Sequence, residues 1–429
     1  MTSAPEPGQS RRQERGKERG DARIAVLAHN HPSLNKGGAE ISAYNLFEGL
    51  KALGADPIFI AACASGRRGQ LYLDGPDEFA LFYDESDYSH YYQIGSPAVE
   101  AELAQMLDDN GVCVLNFHHF VSFGLNTLEA MARSGRRTFL TLHEYSAICQ
   151  HYGQMVTRPD KQLCTRASPS RCNKCFPEYT PHQFEQRRRW FHGNLLGLDG
   201  LIAPSHFLKR RFTEWGLPPE RIAVVENALA RDAQDAPEPG PRDPDAAWTF
   251  GYFGQITPFK GVDVLLAAAE ALGSRGQGKR IRIRVHGNLV NQPDEFLERF
   301  RAACAGPGFE YVGPYDNEDV EGLMRDCDYV VLPSLWWENS PVVIQEAYAA
   351  RRPVIASGLG GLAEKVVDSR TGLHFRVGSP DSLLNAMQAA ASPEAWATFR
   401  ANLPVPRNAR ETARIHLDLY ASMSRPADP

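Results

Sequence analysis

The sequence predicts an α/β protein built as two doubly wound parallel-sheet domains. Three observations carry that prediction. The 429 residues exceed what one hydrophobic core normally serves. Short apolar runs of buried-strand length alternate with stretches of helical period, as parallel strands joined by crossover helices do. The alternation breaks off and restarts across residues 230–247, which are dense in Pro, Asp and Ala and read as a linker. Hydrophobic residues are 43% and charged residues 23% of the chain, ordinary proportions for a soluble globular protein. A net charge of −6 offers no general attraction for nucleic acid or anionic lipid. No apolar run is long enough to span a bilayer.

Residues 1–22 are polar and rich in Arg, Glu, Gly and Pro, so a disordered tail is expected. They lack the apolar core of a secretory signal. That points to a reducing, cytoplasmic setting, where the eight cysteines are thiols or metal ligands. The first domain is expected over 23–229. Its first strand, 24–28, runs into Asn30-His31-Pro32-Ser33-Leu34-Asn35-Lys36-Gly37-Gly38-Ala39-Glu40, and a helix follows through Leu46, Leu50 and Leu53. Strand, glycine loop and helix form the usual opening unit of a doubly wound domain. Paired glycines admit close approach of backbone to a ligand, and they also make plain turns. Residues 57–61 continue the sheet. Residues 65–95 are polar and tyrosine-rich and carry no assignment. A helix over 98–107 leads into a strand at 112–117. Its period of two puts Asn116 and His118 on one face, with His118 and His119 at the strand end, where they pack or do chemistry. A strand at 138–142 ends in His143-Glu144-Tyr145.

Cys149, Cys164, Cys172 and Cys175 then fall in one segment, 149–175, with few secondary-structure signals. Cys172-Asn173-Lys174-Cys175 has the spacing at which two thiolates hold one tetrahedral ion. A structural zinc on the four is therefore expected, with His143 and His151 in reserve; unrelated thiols and a disulfide pair are the alternatives. Cys63, Cys113, Cys304 and Cys327 read as packing residues. A helix over 183–196 carries Arg187-Arg188-Arg189 beside Trp190 and Phe191. It reads as a solvated face, or as a contact for a membrane surface or charged acceptor. A strand at 201–203, a helix capped by Ser205 and ending near Gly216, and residues 221–225 close the domain.

The second domain is expected over 248–390. A strand at 248–253 is followed by the loop Gly254-Gln255-Ile256-Thr257-Pro258-Phe259-Lys260-Gly261 and a helix over 262–272. Strands recur at 281–286, 309–312, 329–332, 353–356 and 371–375. Lys260, at a loop-to-helix junction, is well set to meet phosphate oxygens. After the strand at 329–332, Ser340 reads as an N-cap and Pro341 as the first helical residue. Glu338 in the loop and Glu346 in the second helical turn then face one crevice with the helix N–H groups. That crevice lies at the carboxyl end of a parallel strand, where such sheets bind anionic ligands. Gly358-Leu359-Gly360-Gly361 precedes Glu364, and a last helix is expected over 410–423.

In this order the features resemble those of the retaining glycosyltransferases of family 4, with the GT-B architecture. Gly37-Gly38-Ala39-Glu40 resembles the family's N-terminal glycine loop, and Gly254 to Gly261 the loop ending in Lys-Gly. Glu338 and Glu346 resemble its Glu–seven residues–Glu motif, and Gly360-Gly361 with Glu364 its Gly-Gly-x-x-Glu turn. The cysteine segment resembles that of a subset of the family. The resemblance implies two Rossmann-like domains facing a cleft. The donor, a UDP- or GDP-sugar, lies mainly on the second domain, and the acceptor, a glycan or lipid-linked glycan, mainly on the first. Residues 391–429 then carry a helix crossing back to the first domain, and a tail. By position, Lys260 holds the diphosphate, Glu346 the ribose hydroxyls and Glu338 the donor hexose. Amides near Asn339 and Ser340 meet the sugar, Gly37 and Gly38 admit the β-phosphate, and His118 is the cleft histidine. The resemblance implies a hexose transfer with retention and no catalytic metal, in surface polysaccharide assembly, with the chain cytoplasmic or peripheral at the inner membrane face.

One position departs from the pattern. After Gly254 the family usually has arginine, and here Gln255 brings no charge; Arg284 and Arg376 are the candidate replacements. Two other functions share these features. One is a nucleotide-sugar epimerase of the same architecture. The other is a non-catalytic zinc-bearing binding protein.

Overall fold

The computed structural model describes residues 23–35, 37–230, 243, 245–274, 280–290, 292–306 and 308–424. The expected tail over 1–22 and most of the expected linker over 230–247 lie outside them.

Two parallel sheets organise the chain, as the alternation predicts. The first holds β1 (Arg23–Ala28), β2 (Pro57–Ala64), β3 (Glu78–Tyr83), β4 (Val112–Phe117), β5 (Arg137–Thr141), β6 (Gly200–Ala203) and β7 (Ile222–Val224), in spatial order β3-β2-β1-β4-β5-β6-β7. The second holds β8 (Trp248–Phe253), β9 (Ile281–His286), β10 (Phe309–Gly313), β11 (Tyr329–Leu332), β12 (Val354–Ser357) and β13 (Gly372–Phe375), in order β10-β9-β8-β11-β12-β13. Strand order reverses between β1 and β4 and again between β8 and β11. At such a switch point neighbouring loops part and leave a crevice at the carboxyl ends of the strands.

The helices in chain order are α1 (Gly38–Ala52), α2 (Pro97–Asp109), α3 (Leu125–Arg133), α4 (Pro169–Cys175), α5 (Pro181–Leu196), α6 (His206–Trp215), α7 (Val262–Ser274), α8 (Asp294–Cys304), α9 (Val320–Arg325), α10 (Val342–Ala349), α11 (Gly360–Lys365), α12 (Pro380–Ala390), α13 (Pro393–Ala401) and α14 (Ala409–Ser422). No helix among the described residues is long and apolar enough to cross a membrane.

Central strands are apolar on both faces because helices cover both. Val26 and Ala28 pack with Leu46, Phe47 and Leu50 of α1, while Ala25 and Leu27 turn to the opposite core. The last helix, α14, joins the first of these cores through Ala413 and Tyr420. It lies so close to α1 that a Cβ at Gly49 would run into the Ala409 carbonyl. Asn116 in β4 donates to the Tyr420 hydroxyl at 2.8 Å, tying the sheet to this helix.

Two surface expectations are corrected. Arg187 is not on a solvated face. It is 3% exposed and donates to the carbonyls of Tyr91, Ala147 and Ser146 at 2.9, 2.8 and 2.6 Å, while Arg188 and Arg189 both pair with Glu185. Helical period turns one arginine of the three inward, where three carbonyls replace its water. Among the four isolated cysteines, Cys63 and Cys327 are buried, but Cys113 and Cys304 are exposed rather than packed. Cys113 takes an outward position of β4, and Cys304 ends α8.

Candidate functional site

The crevice at β8 and β11 is built by two loops that lean on each other. Gly261 has φ 73° and its Cβ position is filled by the Pro333 carbonyl, so only glycine lets the Lys260 loop pack here. Leu335 N–H donates to the Phe259 carbonyl at 2.8 Å, and the Phe259 and Trp336 rings stack at 5.8 Å. This brings Lys260 to Glu338. The Glu338 Oε1 accepts from Lys260 Nζ at 2.7 Å, Ser334 Oγ at 2.9 Å and Trp336 Nε1 at 2.9 Å. Burial alone would raise this carboxyl, but the Lys260 charge and the three hydrogen bonds win and hold it below its usual range.

Glu346 lies one turn into α10. Burial, with the nearby Glu321 carboxylate, pushes its carboxyl up to about 7. The two glutamates therefore differ in charge at neutral pH: Glu338 is ionised and Glu346 is near its midpoint. Helix α10 starts one residue later than expected. Pro341 is its cap residue, and Ser340 does not cap. The Ser340 hydroxyl is buried without a partner among the described residues, as are Asn339 Oδ1, both amide atoms of Gln345 and both ring nitrogens of His286. Buried polar atoms without partners are uncommon, and several here flank one crevice.

Gln255 is exposed beyond Gly254, and its carbonyl accepts from the Tyr252 hydroxyl at 2.7 Å. Arg284 points from β9 to Glu310, at 3.2 Å, and Arg376 donates to Ser379 at 3.1 Å.

Across the cleft, β1 and β4 end in a cluster of imidazoles. His29 approaches Glu40 at 3.5 Å, and its ring lies 4.7 Å from that of His119. His119 reaches Glu144 at 3.2 Å and accepts from the Val121 N–H at 2.9 Å. His118 shares a hydrogen bond with His143 at 3.0 Å. Its Nε2 is buried without a partner among the described residues. Burial first, then neighbouring imidazoles, keeps His29 and His118 well below the usual histidine range and takes His143 down to about 3. All three are neutral at pH 7. Gly37 and Gly38 open α1. A Cβ on Gly37 would strike the Glu40 carboxylate, while Gly38 faces open space. The sequence did not single out His29, Glu40 or Glu144 as site residues; their positions just beyond parallel strands, or in the glycine loop, were the available signal.

The two halves meet through the same loop that carries Glu338. Asn339 donates to the His143 carbonyl at 2.7 Å, and Trp337 stacks on Phe207 at 5.4 Å. The Gly360-Gly361 turn follows: Gly361 N–H donates to the Glu338 carbonyl at 2.8 Å. Glu364 then accepts from the His206 and Phe207 amides at 2.8 and 2.5 Å, capping α6 of the other domain, and Lys365 pairs with Glu226.

The cysteine segment stands beside this junction. Cys149, Cys164, Cys172 and Cys175 line one cavity with His151, and none is in a disulfide. Burial first, then the neighbouring thiols, pushes Cys149 and Cys172 up to about 12 and about 11. Four soft donors in one cavity fit a thiophilic dication. Their distances do not yet close around one: no three His, Cys, Asp or Glu side chains among the described residues stand in metal-binding geometry. His143, held by His118 and Asn339, is not among the residues lining the cavity.

Comparison with known proteins gives two family matches. Residues 36–232 match the model described as Glycosyltransferase Family 4, and residues 247–392 the model described as Glycosyl transferases group 1. The lipopolysaccharide 1,2-N-acetylglucosaminetransferase of Salmonella typhimurium is 30% identical over 44% of this chain and 52% of its own length. A D-inositol 3-phosphate glycosyltransferase of Rhodococcus erythropolis is 34% identical over 37% of this chain and 38% of its own. The matched part thus spans about half, or less, of these curated relatives. Glycogen synthase of Mycobacterium tuberculosis is 28% identical over 88% of both chains. Among solved structures, sucrose-phosphate synthase of Thermosynechococcus elongatus superposes with TM-score 0.69 at 18% identity, covering 94% of this chain and 98% of its own. Anabaena HepE in complex with UDP and glucose superposes with TM-score 0.64 at 14% identity, covering 94% and 100%. Both share the GT-B fold.

Proposed function

The chain belongs to glycosyltransferase family 4, and we propose that it moves a hexose, with retention, from a nucleotide-sugar donor to a glycan or lipid-linked glycan in surface polysaccharide assembly. The observation that carries this reading is the Lys260–Glu338 pair at the β8/β11 switch point, with the partly buried Glu346 on the helix that follows the same loop.

Lys260 is the cation for the departing diphosphate. Before donor binds, its charge is balanced by Glu338; a diphosphate competes for the ammonium and frees Glu338 to accept from a sugar hydroxyl. Amides at Asn339 and Ser340 meet the sugar, and Glu346 takes the ribose hydroxyls. Gly254 and Gln255 line the diphosphate side, Gly37 and Gly38 bring the first domain to the β-phosphate, and the neutral His118 hydrogen-bonds the hexose. The bond from the anomeric carbon to the β-phosphate oxygen breaks, and the acceptor oxygen bonds to the same face of that carbon. The acceptor proton passes to the departing phosphate oxygen. Preorganised charge at the leaving group lowers the barrier, and the closed cleft limits hydrolysis. No step in this reading needs a metal. A zinc on Cys149, Cys164, Cys172 and Cys175 has a structural part only. A lipid-linked acceptor would set the chain against a cytoplasmic membrane face.

The test is product analysis. Purified protein is given UDP- and GDP-hexoses with and without a glycan acceptor mixture, and the new linkage is read by proton NMR. A product with the donor's anomeric configuration, formed only with acceptor, supports the reading. An inverted linkage, or an isomerised nucleotide sugar made without acceptor, overturns it.

A further inference from the structure

We propose that the cysteine segment 149–175 positions the donor loop by holding Trp337, and that a metal bound by its four thiols sets the strength of that hold. The proposal rests on the donor-site and zinc readings above and deepens them.

Trp337 belongs to the loop after β11, yet its ring packs against the core of the other domain, as Cys149 and Cys164 do. Its Nε1–H donates to the Cys164 carbonyl at 3.2 Å. The same stretch of backbone is gripped from a second side. Arg211 donates to the Thr165 carbonyl at 2.5 Å and holds its guanidinium 5.1 Å from the Trp337 ring centroid. So residues 164 and 165 form a bracket around one tryptophan of the opposite domain. The next residue along that loop is Glu338, which carries Lys260.

The bracket is only as firm as the segment that bears it. Residues 149–168 contain no helix or named strand, and Val156 and Leu163 form one isolated bridge. The Cys164 thiol faces a cavity shared with Cys149, Cys172 and Cys175. A tetrahedral dication entering there binds the four sulfurs, and the thiol protons pass to solvent. With its sulfur so held, Cys164 would keep in place the carbonyl that Trp337 uses. Coupling of this kind is reciprocal: nucleotide held at Lys260 and Glu338 must then tighten the metal.

The experiment uses the full chain purified without chelator. Trp337→Phe keeps the stacked ring and removes the N–H; Cys172→Ser removes one thiolate. Expected are about one zinc per chain in wild type and Trp337→Phe and none in Cys172→Ser. Donor KM rises between about two- and tenfold in both variants with kcat within about twofold, the range one lost hydrogen bond allows. The double variant is no worse than Cys172→Ser. An unchanged donor KM in Trp337→Phe, or in folded, metal-free Cys172→Ser, overturns the proposal. A second readout needs no turnover and no folded Cys172→Ser. The rate of zinc release to a chromogenic chelator is measured with and without UDP. UDP slows release in wild type and not in Trp337→Phe; equal slowing in both overturns the coupling even if the chain transfers sugar. Wild type isolated without zinc overturns the metal part, whatever Trp337→Phe does.

Discussion

Lys260 Nζ lies 2.7 Å from Glu338 Oε1, and that one oxygen also takes the Ser334 hydroxyl and the Trp336 indole. The carboxylate has three donors, one of them a cation, and loses its one charge partner among the described residues if Lys260 is cut back. Lys260→Ala is expected to cost about 1–3 kcal/mol of stability at pH 7, since it leaves a largely buried carboxylate with neutral donors alone. Glu338 titrates below its unfolded value of 4.5. The pair's contribution is thus fully present above pH 4.5 and is lost as pH falls through the folded value. Urea titrations of both proteins at pH 7 and pH 4 check this: the gap should narrow at the lower pH.

Glu346 has the opposite sign. Its folded carboxyl titrates near 7 against 4.5 unfolded, so the folded chain binds more protons in that window. Stability from this group falls as pH rises from 4.5 to 7 and is level above, by up to about 3 kcal/mol at about 1.4 kcal/mol per unit. Thermal melts from pH 5 to 8 should show the slope in wild type and lose it in Glu346→Gln. With Glu346 in the proposed ribose role, nucleotide affinity should run the other way, rising with pH in wild type as hydroxyls donate to the ionised form; calorimetry with UDP at pH 6 and 8 reads it.

Glu364 caps a helix of the other domain. Glu364→Ala removes acceptors from two α6 amides and opens the junction at Phe207. A loss of about 1–2 kcal/mol is expected, typical of a cap. The melting temperature should drop while far-UV circular dichroism stays native, and small-angle scattering should report a wider particle.

Gln255→Arg adds a charge on the exposed edge of the loop proposed to meet the diphosphate. A charge-assisted bond there should tighten UDP by about three- to tenfold. Calorimetry at low and high salt checks it, and the gain should shrink with salt.

Much of the scaffold was legible because parallel strands buried on both faces read as continuous apolar runs. Val112–Phe117, Trp248–Phe253, Ile281–His286 and Tyr329–Leu332 stand where such runs predict. Strand β3 was not. It lies at the sheet edge, with only Glu78 and Leu81 of its six residues buried, so it carries neither a run nor an alternation. Lys260 and Glu338 were named from loop positions just beyond β8 and β11, and the structure brings those two together; Glu346 was named from its helical turn. Ser340 misled by one residue: Pro341 stays extended at ψ 120° and is itself the cap, which leaves the serine one position short of capping. What joins the domains was not legible. Trp337 meets Cys164, and Glu364 meets His206, across 173 and 158 residues of sequence, and no local period reports a partner so far away.

On the proposed function, Lys260 and Glu338 make a nucleotide-sugar transfer site. Donor turnover by wild type and by Glu338→Ala, measured across UDP-, GDP-, ADP- and dTDP-sugars, tests it most directly. Wild type should consume one donor class in the presence of acceptor, and Glu338→Ala, folded by circular dichroism, should lose about 100-fold or more in kcat/KM. A wild type that neither binds nor turns over any of these donors, or a Glu338→Ala as active as wild type, would contradict the account.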